Sequence, residues 1–118
     1  VEILTAQRND GRYHPVLCAY SMGNLFTYNR EARANLSGIL LRADVQYDPS
    51  TGTIAFDKLT YTPTFCWRDA IHGVTRTGVV LADPNDQPTF LGKKQLDVME
   101  RCYNQIQNVM KDTVLKEK

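Results

Sequence analysis

The chain is short of the residues that most often build a reactive centre. It has two histidines, three cysteines and one tryptophan in 118 residues. His14 and His72 belong to no His-x-His or His-Glu-x-x-His pattern, so no metal-ligand spacing is present. Cys18, Cys66 and Cys102 form no Cys-x-x-Cys pair. An odd set so widely spread reads as free or buried thiols, with one disulfide plus a leftover thiol as the alternative. Neither a G-x-G-x-x-G nor a G-x-x-x-x-G-K-[ST] string occurs, which leaves phosphate cradling without support. Charge of one sign is also lacking. Fourteen Lys and Arg against 13 Asp and Glu leave a net charge of +1, so there is no basic footprint for nucleic acid and no acidic disordered tract. No apolar run approaches the ~20 residues of a membrane-spanning helix, and the chain reads as soluble.

What is present suits one ordinary domain over residues 1–118: 42% of residues are hydrophobic and 23% charged. A chain of this length buries roughly two thirds of its unfolded surface, enough for a core without metal or disulfide staples. Residues 2–5 read as a short strand, and the Asn9-Asp10-Gly11 string is a hairpin-turn signal. "PVLCAYSM" (15–22) reads as a strand too continuously apolar to have one face in water. "TYNREARANLS" (27–37) reads as a polar surface loop.

The next segment is strongly patterned. Ile39, Leu41, Ala43, Val45 and Tyr47 fall on one strand face, and Arg42, Asp44 and Gln46 on the other. Asp48 to Gly52 supplies a tight loop, and the chain returns through "TIAFDKLTYTPTFCW". Ile54 and Phe56 share one parity while Leu59 and Tyr61 take the other, so a bulge near Asp57-Lys58 is required for all four to face one core. A further strand is expected over 73–83, ending at the turn-rich "DPNDQP". From about Phe90 to Leu115, Leu96, Met99, Tyr103, Ile106, Met110 and Val114 recur at spacings of three and four. That stripe predicts an amphipathic helix packed on a sheet, with a helical dimer seam as the minority reading. Thr89 and Asp86 are its candidate N-caps. The predicted class is α+β: mainly antiparallel sheet over 1–83 with a long hairpin, then one C-terminal helix.

Few residues are candidates for chemistry. Cys66, Asp69 and His72 share the string "CWRDAIH", and a Cys-His-Asp nucleophilic site there requires the three groups to meet. A packed thiol beside a surface histidine is the competing reading. His14, before Pro15 in the predicted turn, reads as a solvated ring. Asn35-Leu36-Ser37 matches the N-glycosylation sequon, which matters only in a secretory setting. Arg30, Arg33, Arg42 and Arg68 read as scattered surface arginines rather than a carboxylate-binding fork.

"AYSMGNLFTYN" (19–29) carries the most specific string. Tyr20-Ser21-Met22-Gly23-Asn24-Leu25 resembles the Tyr-Ser-Leu-Gly-Asn-Phe signature near the end of the CapA family, capsule and poly-gamma-glutamate synthesis proteins built on a calcineurin-like metallophosphatase fold. Met22 and Leu25 depart from that signature. "VEILTAQRNDGRYHPVLCAYSMGN" resembles the stretch leading to it, and "GILLRADVQYDPSTGTIAFDKLTYTPTFCWRD" the family's closing hairpin. The likeness covers about residues 1–70 and leaves the C-terminal helix unaligned.

The resemblance also implies an absence. Family members carry their metal-ligand motifs upstream, ending in a Gly-His-x-Pro-His segment just before the strand that begins here at Val1. His14-Pro15 lacks the flanking residues of that segment. Gly23-Asn24 runs into Leu25-Phe26, not into the His-Glu or His-Asp of a metallophosphatase turn. A two-metal site holds its ions ~4 Å apart with several ligands, which these residues do not supply. The expectation is a C-terminal portion, not catalytic by itself and without its own cofactor, whose parent holds divalent metal ions and lies at the cell envelope. Implied partners are the upstream part of the same polypeptide, an anionic capsule polymer, and a second copy through an edge strand or the C-terminal helix. Gly23-Asn24 reads first as a sharp turn, since both residues tolerate positive φ. The alternative places Ser21 and Asn24 near a ligand. Competing functions are an independent β-rich binding or oligomerisation module, and a small thiol hydrolase using Cys66 or Cys18.

Overall fold

A computed structural model describes residues 1–23 and 36–118. The chain is α+β and mainly antiparallel sheet. β1 (Glu2–Gln7) and β2 (Tyr13–Cys18) form a two-stranded hairpin. Its turn closes through Gly11, at φ +80°, whose N–H donates to the Arg8 carbonyl. β3 (Ser37–Asp48), β4 (Thr53–Ile71) and β5 (Val74–Leu81) form a second sheet in that order. α1 (Lys93–Met110) packs on β3 and β4, and a short β6 (Lys116–Glu117) pairs parallel to β4.

The long hairpin follows the sequence pattern. Leu41 faces Tyr61 and Ile39 faces Pro63; nearer the tip, Val45 faces Phe56 and Tyr47 faces Ile54. The two halves of β4 have opposite parity, and the switch lies where Ala43 alone opposes Lys58 and Leu59. Lys58 adopts φ +48°, so the extra residue of the bulge sits at Lys58 and keeps one apolar face continuous. Nineteen residues of β4 at ~3.3 Å each account for the 60 Å long axis of the molecule.

Two apolar clusters lie between sheet and helix. Leu36, Phe65, Ala82, Leu91, Met99 and Cys102 form one, flanked by Trp67 and Val80. Ile39, Tyr61, Ile106, Met110 and Leu115 form the other, with Val1, Leu41 and Leu59 against it. Each large side chain so buried contributes about 1.5–3 kcal/mol. Met99 is wholly buried at the centre of the predicted stripe. The helix therefore spends its apolar face on the sheet.

The helix is shorter than its periodicity suggests. Its N-cap is Gly92, neither Thr89 nor Asp86; the Gly92 N–H donates to Gln95 Oε1 at 3.3 Å. Gln95 Nε2 also donates to the Arg68 carbonyl at 2.7 Å. That carbonyl lies past the point where β3 pairs with β4, since the β3 register ends at Phe65. One glutamine thus starts the helix and satisfies β4. At the other end, the Thr113 N–H and hydroxyl both donate to the Met110 carbonyl, so the helix stops there. Val114 is left exposed outside the helix, and Leu115 fills the core position instead.

Two further expectations need correction. The strand expected over 15–22 covers Tyr13–Cys18 and is not buried on both faces; Val16 remains 42% exposed. It belongs to a two-stranded sheet, which has too few layers to enclose it. His14 is no solvated loop residue: it lies in β2, is 8% exposed, and its Nε2 has no hydrogen-bond partner among the described residues. β2 lies against β4, and Arg12 Nη1 donates to the Thr51 carbonyl at the long hairpin's tip.

Candidate functional site

The segment after β2 is held at both ends. The Tyr20 hydroxyl donates to Glu2 Oε1 at 2.5 Å, tying the signature string back to β1. That hydrogen bond, reinforced by the negative charge of Glu2, pushes the exposed Tyr20 phenol up to about 12. At the next residue, Ser21 Oγ accepts the Gly23 N–H at 3.3 Å. The Met22 carbonyl then accepts the Ile39 N–H at 2.9 Å, and Gly23 forms an isolated antiparallel bridge with Gly38.

Gly23 is required there on two counts. Its φ is +78°, and a Cβ would stand 2.6 Å from the Ser37 carbonyl oxygen and 2.9 Å from the Gly38 Cα. Of the Gly-Asn pair, glycine is therefore a turn residue that admits close backbone contact. Asn24, the other ligand candidate, lies outside the described residues, as do Arg30, Arg33 and Asn35.

Beside this bridge runs a groove of about 440 Å³. Ser21 and Met22 form one wall, Gly38 and Ile39 the floor, and Ile106 and Val109 part of the α1 wall. Met22 and Val109 are 51% and 72% exposed, so the groove opens apolar surface to solvent. Its described lining contains no titratable side chain; Ser21, Ser37, Gln105 and Asn108 supply the polar groups. Such a lining binds through apolar contact and neutral hydrogen bonds. Among the described lining residues Ser21 has no neighbouring base.

The sequence candidates elsewhere do not converge. Cys66 is 1% exposed within β4, and burial pushes its thiol up, away from the reactive thiolate. His72 lies in the β4–β5 turn at φ +51°, six residues along an extended strand. At ~3.3 Å per residue that is roughly 20 Å, far beyond hydrogen-bond reach. Asp69 pairs instead with Arg76 at 3.1 Å. Cys102 is buried in the helix–sheet core, and its thiol is likewise pushed up by burial. Cys18 is half-buried and faces Glu2 across the β1–β2 ladder. None of the three cysteines is in a disulfide, and the Cys66 thiol-hydrolase arrangement is not formed.

Among the described residues, no group of three or more His, Cys, Asp or Glu side chains is placed to hold a metal ion. Nor is any described helix long and apolar enough to cross a membrane. Arg42 lies 3.7 Å from Asp44, which Lys58 also approaches at 3.6 Å, all on the exposed hairpin surface.

Sequence reasoning missed the polar network that seats the C-terminus. The Tyr61 hydroxyl donates to Gln107 Oε1 at 2.8 Å, and Gln107 Nε2 donates to Glu117 Oε2 at 2.6 Å. Tyr103 donates to the same carboxylate oxygen at 3.1 Å. Residues ten and fourteen positions apart meet only because the chain reverses after Met110, and no local spacing announces that. No family model, curated protein or solved structure matches the chain.

Proposed function

We propose that this chain is the non-catalytic C-terminal portion of a CapA-like protein that serves capsule or poly-gamma-glutamate synthesis or export at the cell envelope. In this reading the upstream part of the polypeptide supplies the divalent-metal centre and any enzymatic activity. Residues 1–118 complete and brace its sheet.

The state of β1 is the observation that supports this reading. All six of its residues are exposed, and Ile3 and Leu4, each 40% exposed, point to opposite faces. A two-stranded sheet is marginal in water and gains stability from a third strand or a covering layer. Apolar side chains on both faces of an edge strand match a sheet that continues past β1. The signature string, tied to β1 by Tyr20 and Glu2, would then sit at the seam between the two parts.

The test uses the full-length protein. Ile3→Asp together with Leu4→Asp should abolish polymer at the cell surface while circular dichroism of residues 1–118 stays unchanged. Amides of β1 should also exchange at least tenfold more slowly in the full-length protein than in residues 1–118 alone. Unchanged polymer output with unchanged exchange rates would overturn the reading, as would phosphoester hydrolysis by residues 1–118 unaided. A second reading, an independent β-rich oligomerisation module, is favoured by the other open edge of the fold.

A further inference from the structure

We infer that β5 is a self-pairing edge, across which two copies of this chain join their sheets antiparallel about a two-fold axis at Thr77. Three observations carry this. β5 ends the order β3-β4-β5, so among the described residues its outer backbone groups have no ladder partner. Val74, Thr75, Arg76 and Thr77 are all exposed, and Leu81 is 54% exposed.

The edge also lacks the features that keep natural edges apart. It has no proline, no lysine and no bulge over its eight residues. Its single charge, Arg76, is already compensated by Asp69 of β4 at 3.1 Å. A different protein recognising this strand would be expected to place an acid opposite Arg76. A neutralised edge has no such preference.

Register then selects the second copy. A two-fold perpendicular to the sheet pairs residues of equal parity, because both copies keep their helices on the same side. Centring it on Thr77 sets Thr77 against Thr77, Arg76 against Gly78, Thr75 against Val79 and Val74 against Val80. Threonine pairs and β-branched pairs are favourable cross-strand neighbours, and no like charges meet. Gly78, over which the Trp67 indole lies, stands opposite Arg76 and adds no charge to the seam. Centring on Arg76 instead would oppose two arginines. An edge contact of this length falls in the class below ~1,200 Å² that forms weak, reversible complexes.

The experiment combines sedimentation with cross-linking on the full chain in a Cys18→Ser background. Sedimentation equilibrium over a hundredfold dilution should show a monomer–dimer equilibrium. Thr77→Lys should weaken it at least tenfold, whereas Leu4→Lys on the β1 edge should leave it unchanged. Thr77→Cys should give a covalent dimer on mild oxidation, because the two Cα atoms then lie within disulfide range, and Thr75→Cys should not. A chain that is monomeric throughout, with no Thr77→Cys dimer, overturns the inference. So does a dimer that survives Thr77→Lys but is lost in Leu4→Lys, which would assign pairing to β1. Because β5 and β1 lie in different sheets, failure here leaves the proposed seam at β1 standing.

Discussion

Gly23 and Gly38 face each other in an isolated antiparallel bridge, and the space between their backbones excludes a side chain on Gly23. This contact brings the end of the signature string onto β3 and sets the floor of the adjacent groove. Gly23→Ala should therefore lose about 1–3 kcal/mol from the left-handed conformation, with more from the clash at the Ser37 carbonyl. Urea denaturation of the chain measures it. Gly11→Ala, with the same sign of φ and no atom within 4 Å, should cost less and serves as the control.

The Glu2–Tyr20 hydrogen bond predicts an alkaline signature. Tyr20 is raised from an ordinary value of 10.0 to about 12 in the folded chain, so the folded state favours the protonated phenol. Its contribution to stability is fully present below pH 10 and is lost as pH rises through about 12. Burial also raises Tyr61 and Tyr103, so spectrophotometric titration should show several phenols ionising late, of which Tyr20 alone answers to Glu2. In Glu2→Gln that phenol should return toward 10, and an unchanged titration would remove the pair from the account.

Thiol reactivity should rank by burial. Cys18 is half-buried, whereas Cys66 and Cys102 are 1% and 2% exposed and both are pushed up by desolvation. A thiol-specific chromogenic reagent at pH 8 should label one cysteine rapidly in the native chain and all three only in denaturant. Cys18→Ser should remove the fast phase. A fast phase that persists in Cys18→Ser would place Cys66 or Cys102 nearer the surface than described.

The C-terminal reversal makes its own prediction. Leu115 is 4% exposed and packs with Tyr61, Ile106 and Met110, while Val114 is 44% exposed. Leu115→Ala should cost about 2–5 kcal/mol and Val114→Ala far less. A helix continuing through residue 115 would reverse that order, since Val114 is the residue on its apolar stripe. Thermal denaturation of the two variants distinguishes them.

Local pattern carried a good share of the fold. The bulge at Lys58 was legible because Ile54 and Phe56 disagree in parity with Leu59 and Tyr61, and only an inserted residue reconciles them. The helix was legible because Met99, Ile106 and Met110 recur at the helical period. Its end was not, because Thr113 recaptures the Met110 carbonyl and the chain turns back to pair with β4. His14 was misread for a related reason: it follows a polar turn string, and no local spacing announces that β2 lies against β4. The groove beside Ser21 was invisible because its two walls are more than 80 positions apart.

Composition and periodicity determined that this chain is mainly antiparallel sheet, that the long strand carries a bulge, and that one C-terminal helix has an apolar stripe. Those properties follow from neighbours one to four positions apart, where side-chain size and backbone geometry act directly. Tertiary structure alone decided that Cys66 and His72 stay apart, that Glu2 holds Tyr20, that Gly23 has no room for a side chain, and that β1 and β5 lack an outer partner among the described residues. Each depends on how far one strand extends beside another, which is settled by packing across the whole sheet.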